Sequence, residues 1–295
     1  MQKPKQPSSS SKKEAIVFTI IASSLWGTSF PAIKIGLQYM DAYTFVFLRF
    51  LLATLIMLAA ALFTKNFSFN FNKKRLLLFL GITNGVAYIL QYVGMVHTFA
   101  SNSSLLVNLT VVWVALLSPI ILKEQIGRKK IAGVFLSITG IVLITTKLDF
   151  QSFYVGETVG NLLMVTAGII WALFIIYNKQ LVDESKNLTQ SLTWLLLFTM
   201  LPLIPLAPFS ATNFLALTWE AWIAIIYTAI LCWVIPYYLW SKGLENISPV
   251  TSSVILLNET IVAIAISIIV LGDALTIVSG VGAVFILLAI MLVSY

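Results

Sequence analysis

The chain has 295 residues, 59% hydrophobic and 10% charged, with a formal net charge of +7. A soluble domain carries about 25% charged residues, so this composition excludes an ordinary soluble fold and describes a polytopic membrane protein with room for roughly ten helical spans. One cysteine, Cys232, and one histidine, His97, exclude an intrachain disulfide framework and a Cys- or His-rich metal site.

Residues 1–15, MQKPKQPSSSSKKEA, are polar and basic and are expected to form a disordered cytoplasmic tail. No A-x-A cleavage site follows the apolar run 16–25, so the tail leads into a span rather than a cleaved signal. Apolar runs bounded by charge or turn residues then predict spans at 16–34, 44–63, 76–97, 103–122, 130–146, 159–178, 190–208, 221–241, 249–271 and 275–294. Helices are expected because backbone groups in hydrocarbon must pair internally, and the alternation of a membrane barrel strand is missing. With the N-terminus inside, 15 of the 18 basic residues fall on the cytoplasmic side. Lys34 and Lys147 lie near the outer side and Arg49 within the second span. This charge asymmetry predicts a multi-pass protein of the cell membrane with both termini cytoplasmic, and it reads the net positive charge as topology, not as nucleic-acid binding.

The spans repeat. A shift of 145 residues lays Trp26 on Trp171 and Lys34 on Lys179; a shift of 149 lays Tyr88 on Tyr237, Gly133 on Gly282 and Glu124 on Asp273. Each half holds five spans, an odd number, so the second half, 159–295, must insert upside down relative to the first, 16–146. The charges agree: KEQIGRKK at 123–130 becomes GDALTIVS at 272–279, which has no basic residue. Inverted repeats with a site between them are the plan of many secondary transporters.

SSLWGTSFPAIK (23–34), FVFLRFLLA (45–53), LKEQIGRKKIAGVFLSITGIVLI (122–144) and ISPVTSSVILLNETIVAIAISIIVLGDAL (247–275) resemble the drug/metabolite transporter superfamily, in its EamA-type exporter branch. The resemblance runs over nearly the whole chain after residue 15. It carries Trp26, Gly27, Arg49, Glu124 and Glu259; Glu259-Thr260 stands where the family has Glu-Pro, and Asp273 replaces a Glu. It implies an all-α membrane protein of ten transmembrane helices in two inverted five-helix repeats, a central cavity, and export of small metabolites or amino acids.

The residues themselves offer a site. Glu259 lies near the middle of span 9, where an unpaired carboxylate costs a few kcal/mol unless it faces a cavity or a partner, and it is the candidate for proton coupling. Arg49 is either a carboxylate contact or, as the blander reading, a structural group snorkelling to the outer interface or capping another helix. Asn84, Tyr88 and Gln91, with Tyr92, share one face of span 3, and Trp233, Tyr237 and Trp240 match them in span 8. These are expected to line an amphipathic cavity with Trp26, Trp171 and Asn108, against the alternative of interhelical hydrogen bonding. Gly27 and Pro31 predict a kink in span 1 and a candidate outer gate. Lys34, His97, Glu124 and Asp273 read as interfacial or structural.

The function expected is a secondary transporter that exports small amphipathic metabolites, amino acids among them, by alternating access. A small-molecule substrate, the bilayer and protons are its expected partners, and a monomer is compatible with this plan. A channel or a membrane-embedded enzyme is the alternative; enzyme chemistry needs paired carboxylates, a Ser/His pair or a bound metal, for which one deep carboxylate is a poor basis. No Walker A pattern is present, and no feature specifies a cofactor.

Overall fold

A computed structural model of the chain describes residues 9–65, 67–68, 73–97, 105–148, 158–209, 212, 217–266, 268–269 and 276–294. Among these residues the regular structure is entirely helical. The first half holds α1 (Ser9–Gly27), α2 (Ser29–Gly36), α3 (Ala42–Phe63), α4 (Lys74–Val96), α5 (Thr110–Leu122) and α6 (Arg128–Thr146). The second holds α7 (Thr158–Glu184), α8 (Leu188–Leu203), α9 (Trp219–Ala229), a π-turn at Ile230–Val234, α10 (Ile235–Leu244), α11 (Pro249–Leu256), α12 (Asn258–Ile266) and α13 (Ile277–Ser294). Nine spans among the described residues are long and apolar enough to cross a membrane. The α1–α2 pair, which enters through Lys12, Lys13 and Glu14, makes the tenth.

Helix α1 starts at Ser9, so the expected disordered stretch to residue 15 does not hold for its last residues. Nothing between Pro7 and Ala15 breaks a helix, and Ala15 is fully packed, its carbonyl oxygen 2.7 Å from where a Cβ on Gly243 would sit.

Equivalent positions of the two halves make equivalent contacts. Helices α6 and α13 pack through Gly133 against Ala289 and Val293, and through Gly282 against Gly140 and Ile144. At the 149-residue shift Gly133 becomes Gly282, Gly140 becomes Ala289 and Ile144 becomes Val293, so one set of contacts is the other with the halves exchanged. The start of α6 meets the end of α13, which makes the pair antiparallel. Gly94 of α4 sits on Met164 of α7, and its counterpart Gly243 of α10 sits on Thr19 of α1, the counterpart of Met164. Exchanged contacts between antiparallel counterparts are what an inverted repeat with pseudo-two-fold symmetry produces.

The α6–α13 seam is close because its residues are small. A Cβ on Gly282 would lie 2.6 Å from the Gly140 carbonyl oxygen, whereas one on Gly280 meets nothing within 4 Å. Gly282→Val is therefore expected to destabilise the protein by about 1–3 kcal/mol, as overpacking does, and Gly280→Val to be near neutral. Thermal unfolding of the two variants in one detergent checks the difference.

Candidate functional site

Three helix interruptions meet in the middle of the bundle. Span 1 breaks at Thr28, between α1 and α2; span 8 widens into the π-turn at Ile230–Val234; span 9 breaks at Leu257, between α11 and α12. The chemistry of span 1 explains its break. Pro31 has no N–H for the Gly27 carbonyl, and the Thr28 hydroxyl donates to the Leu25 carbonyl at 2.7 Å. The predicted kink at 27–31 is thus present at Thr28; the side chain of Pro31 lies outside the described residues.

These interruptions bind one another. Asn258 Nδ2 donates to the hydroxyls of Ser24 (2.9 Å) and Ser23 (3.2 Å). A Cβ on Gly27 would lie 2.6 Å from the Glu259 carbonyl oxygen and 2.8 Å from Val262 Cβ. Tyr227 donates to Thr28 Oγ1 at 2.7 Å, and Thr28 Oγ1 lies 3.8 Å from Cys232 Sγ. The SSLWGTS stretch is therefore an interior surface, pinned to α12 and to the π-turn. The first half repeats the arrangement: span 4 breaks at Leu109, and Thr110 Oγ1 donates to the Gly168 carbonyl at 3.0 Å. Gly168, one turn before the residue that aligns with Gly27, supplies the close approach in α7.

Arg49 does not snorkel. It is 2% exposed, its Nη2 donates to the Cys232 carbonyl at 3.0 Å and its Nη1 to the Tyr92 hydroxyl at 3.3 Å. Its guanidinium carbon lies 5.4 Å from the Tyr88 ring centroid and 5.6 Å from that of Phe50. Among the described residues no carboxylate pairs with it, so dipoles and ring faces compensate the charge. Of the structural readings, the geometry matches a bond to the main chain of another helix, because a residue near a helix end can still face the packed interior.

Around Arg49 the aromatics form a continuous wall. Tyr88 meets Phe50 at 4.7 Å and Trp171 at 4.9 Å between centroids; Trp171 meets Phe174 at 5.4 Å; Phe174 meets Tyr237 at 5.9 Å. Trp233 stacks on Tyr237 at 4.5 Å, and Trp26 packs edge-on against Trp240 at 5.9 Å. The structure sorts the expected site residues into two layers. Trp26, Tyr88, Gln91, Trp171 and Glu259 are half-buried, and Trp171 Nε1 donates to Gln91 Oε1 at 3.3 Å. Tyr237, 3% exposed, lies behind them with its hydroxyl on Asn178 Oδ1 at 3.3 Å.

Asn84 sits apart from this wall. It is fully buried in the α4–α8 contact, donating to Thr199 Oγ1 at 3.0 Å beside Gly81 and Gly85, both of which also press on α8. Asn108 is 9% exposed on the turn before Leu109. Glu259 makes no hydrogen bond or ion pair among the described residues and lies within electrostatic reach of Tyr88. His97 is exposed at the end of α4, Glu124 accepts from the Ser118 hydroxyl, and Asp273 lies outside the described residues. Sequence reasoning missed Phe50, Phe174, Tyr227 and Asn258. Only Asn258, a polar neighbour of Glu259 in an apolar span, carried a signal.

The model of the EamA-like transporter family matches residues 13–146 and 158–295. An uncharacterized transporter of Archaeoglobus fulgidus is 32% identical over 225 residues, 75% of this chain and 77% of its own length. A probable amino-acid metabolite efflux pump of Salmonella typhimurium is 25% identical over 290 residues, 94% of this chain and 93% of its own. One solved structure superposes with a TM-score of 0.76 at 13% identity, covering 95% of this chain and 96% of that one, a likeness of fold. With its repeats, its broken spans and a family model that matches both halves, the chain belongs to the EamA-like transporter family.

Proposed function

We propose that this chain is a secondary transporter of the cell membrane, with both termini cytoplasmic, that exports small amphipathic metabolites by alternating access between its two repeats. The observation that carries this reading is Glu259: a half-buried carboxylate at a helix break, without a hydrogen bond or ion pair among the described residues, beside an aromatic wall to which both repeats contribute. An unpaired carboxylate at this depth is costly to keep, and a ligand ammonium group or a proton would each relieve that cost. The two compete for one site, which is the simplest basis for exchange: the amine leaves as the proton arrives, and the neutral carboxyl returns. The apolar part of the substrate would lie on Trp26, Tyr88 and Trp171, where burial is worth about 25 cal/mol per Å². Gly27, with the kink that follows it, is the candidate gate.

Amino acids are the first compounds to test, because their amino group and apolar side chain suit these two surfaces and because the Salmonella relative is named for amino-acid metabolite efflux. Purified protein in liposomes is expected to release one or more preloaded amino acids saturably, faster when the receiving side is acidic. A folded protein that moves neither amino acids nor other organic amines under any proton gradient would defeat the proposal.

A further inference from the structure

We infer that Pro236 is a positioning residue: by withholding a backbone N–H it leaves the Cys232 carbonyl free to hold Arg49, which in turn orients the Tyr88 ring. The inference rests on the reading that Tyr88 lines the transport cavity. In an unbroken α-helix the N–H of residue 236 would bond the carbonyl of residue 232; proline has none. The ladder steps around this gap through the π-turn, where Ile235 N donates to the Ile230 carbonyl. The Cys232 carbonyl is then an acceptor in an apolar interior without its helical donor, and Arg49 Nη2 takes it at 3.0 Å.

The arrangement also answers what Arg49 lacks. A buried guanidinium with no carboxylate needs oriented dipoles, and a main-chain carbonyl is a rigid one. Two groups then hold the Arg49 head in place, the Cys232 carbonyl and the Tyr92 hydroxyl, and its charge rests against the faces of Phe50 and Tyr88. Among the described residues the groups around Arg49 are Tyr88 and Tyr92 on α4 and Cys232 on the π-turn, and none of them brings a formal charge of opposite sign to compete with the carbonyl.

The first repeat supplies an internal control. Its position matching Pro236 is Ala87, and there α4 runs unbroken from Lys74 to Val96. The position matching Arg49 is Trp194. The cation of the first repeat and the proline of the second therefore meet across the two halves, whereas the symmetry-related pair, Trp194 and Ala87, has neither, which breaks the symmetry of the scaffold at the site.

Pro236→Ala puts the first-repeat residue into the second repeat. The chain has one cysteine, so a ¹³C-carbonyl cysteine label marks Cys232 alone, and ¹⁵N-arginine labels three residues, Arg49, Arg75 and Arg128. In membranes of the wild-type protein, solid-state NMR is expected to show direct dipolar contact between an arginine Nη and the labelled carbonyl, lost in Arg49→Lys. Absence of that contact in the wild type overturns the inference, whatever becomes of any variant. In Pro236→Ala the contact should weaken or vanish. KM for efflux of phenylalanine, the probe, should rise about tenfold while kcat changes less than about twofold. Pro119→Ala, in α5 away from Arg49, should leave both readings unchanged. An intact contact in Pro236→Ala overturns the role of the proline, and a lost contact with unchanged KM overturns the role through Tyr88. Wild-type protein that moves no phenylalanine or other amino acid counts against the transport reading instead, and the NMR arm still decides the positioning of Arg49.

Discussion

Glu259→Gln is expected to abolish proton-driven efflux while leaving a folded protein that binds detergent and unfolds at close to the wild-type temperature. The substitution keeps the shape of the side chain and removes the one charge at the break between α11 and α12. No ion pair or hydrogen bond of the carboxylate is lost with it among the described residues, so its cost to stability should be small, and a neutral amide is cheaper than a carboxylate at this depth. Its cost to transport should be large. A glutamine neither exchanges a proton nor attracts an ammonium group, so the dependence on an acidic receiving side should disappear and net efflux should fall by two orders of magnitude or more, roughly the loss of a group that works by charge. Flux into acidic and neutral receiving buffers, measured on liposomes of both proteins, separates the outcomes: an unchanged response to the gradient would remove Glu259 from the coupling step.

Gly27→Val is expected to have the second largest effect, by steric means. Its Cβ would fall 2.6 Å from the Glu259 carbonyl oxygen and 2.8 Å from Val262 Cβ, both far inside contact distance. The first of these atoms is backbone and cannot rotate away, so α12 must move off α1. That shift would strain the bonds from Asn258 to Ser23 and Ser24 and would displace Glu259. Overpacking of this kind costs about 1–3 kcal/mol, and misplacement of the site should lower transport at least tenfold. Gly127→Val, at a position with nothing within 4 Å, serves as the control. Thermal unfolding together with flux distinguishes this from the Glu259→Gln result, which should change flux alone.

The two predictions share a physical origin in SSLWGTSFPAIK. In a lipid-facing helix its glycine, hydroxyls and proline would be destabilising. In the bundle each meets a demand of the interior: Gly27 admits a neighbouring backbone, Ser23 and Ser24 receive Asn258, and the Thr28 hydroxyl donates to the Leu25 carbonyl while accepting from Tyr227. The mutual dependence of spans 1, 8 and 9 makes the stretch a joint at which the two repeats meet, and small changes in one helix are passed to the others through bonds of defined geometry.

Class, span number and inversion were legible in the chain itself. Hydrocarbon admits only backbone that pairs internally, so length and apolarity count the spans. Lysine and arginine report the side on which they stay, and a duplication with an odd number of spans has to turn over. Trp26, Tyr88, Gln91, Trp171 and Glu259 stood out as candidates for a related reason, since polar or aromatic groups in an apolar span need a purpose.

What the chain could not announce was which of those groups touch one another. Asn84 shares a helical face with Tyr88, yet it is spent on Thr199 in the α4–α8 contact, because the face of a helix is divided among several neighbours. Arg49 could be read as a carboxylate contact, an interfacial group or a cap on another helix; the structure gives it the Cys232 carbonyl, 183 positions away in sequence. That partner is a main-chain atom, and it is free only because Pro236 cannot donate. Periodicity and charge are properties of one helix and can be read in order along the chain, whereas the pairing of a cation with a vacated carbonyl depends on where separate spans come to rest, and only tertiary packing decides that.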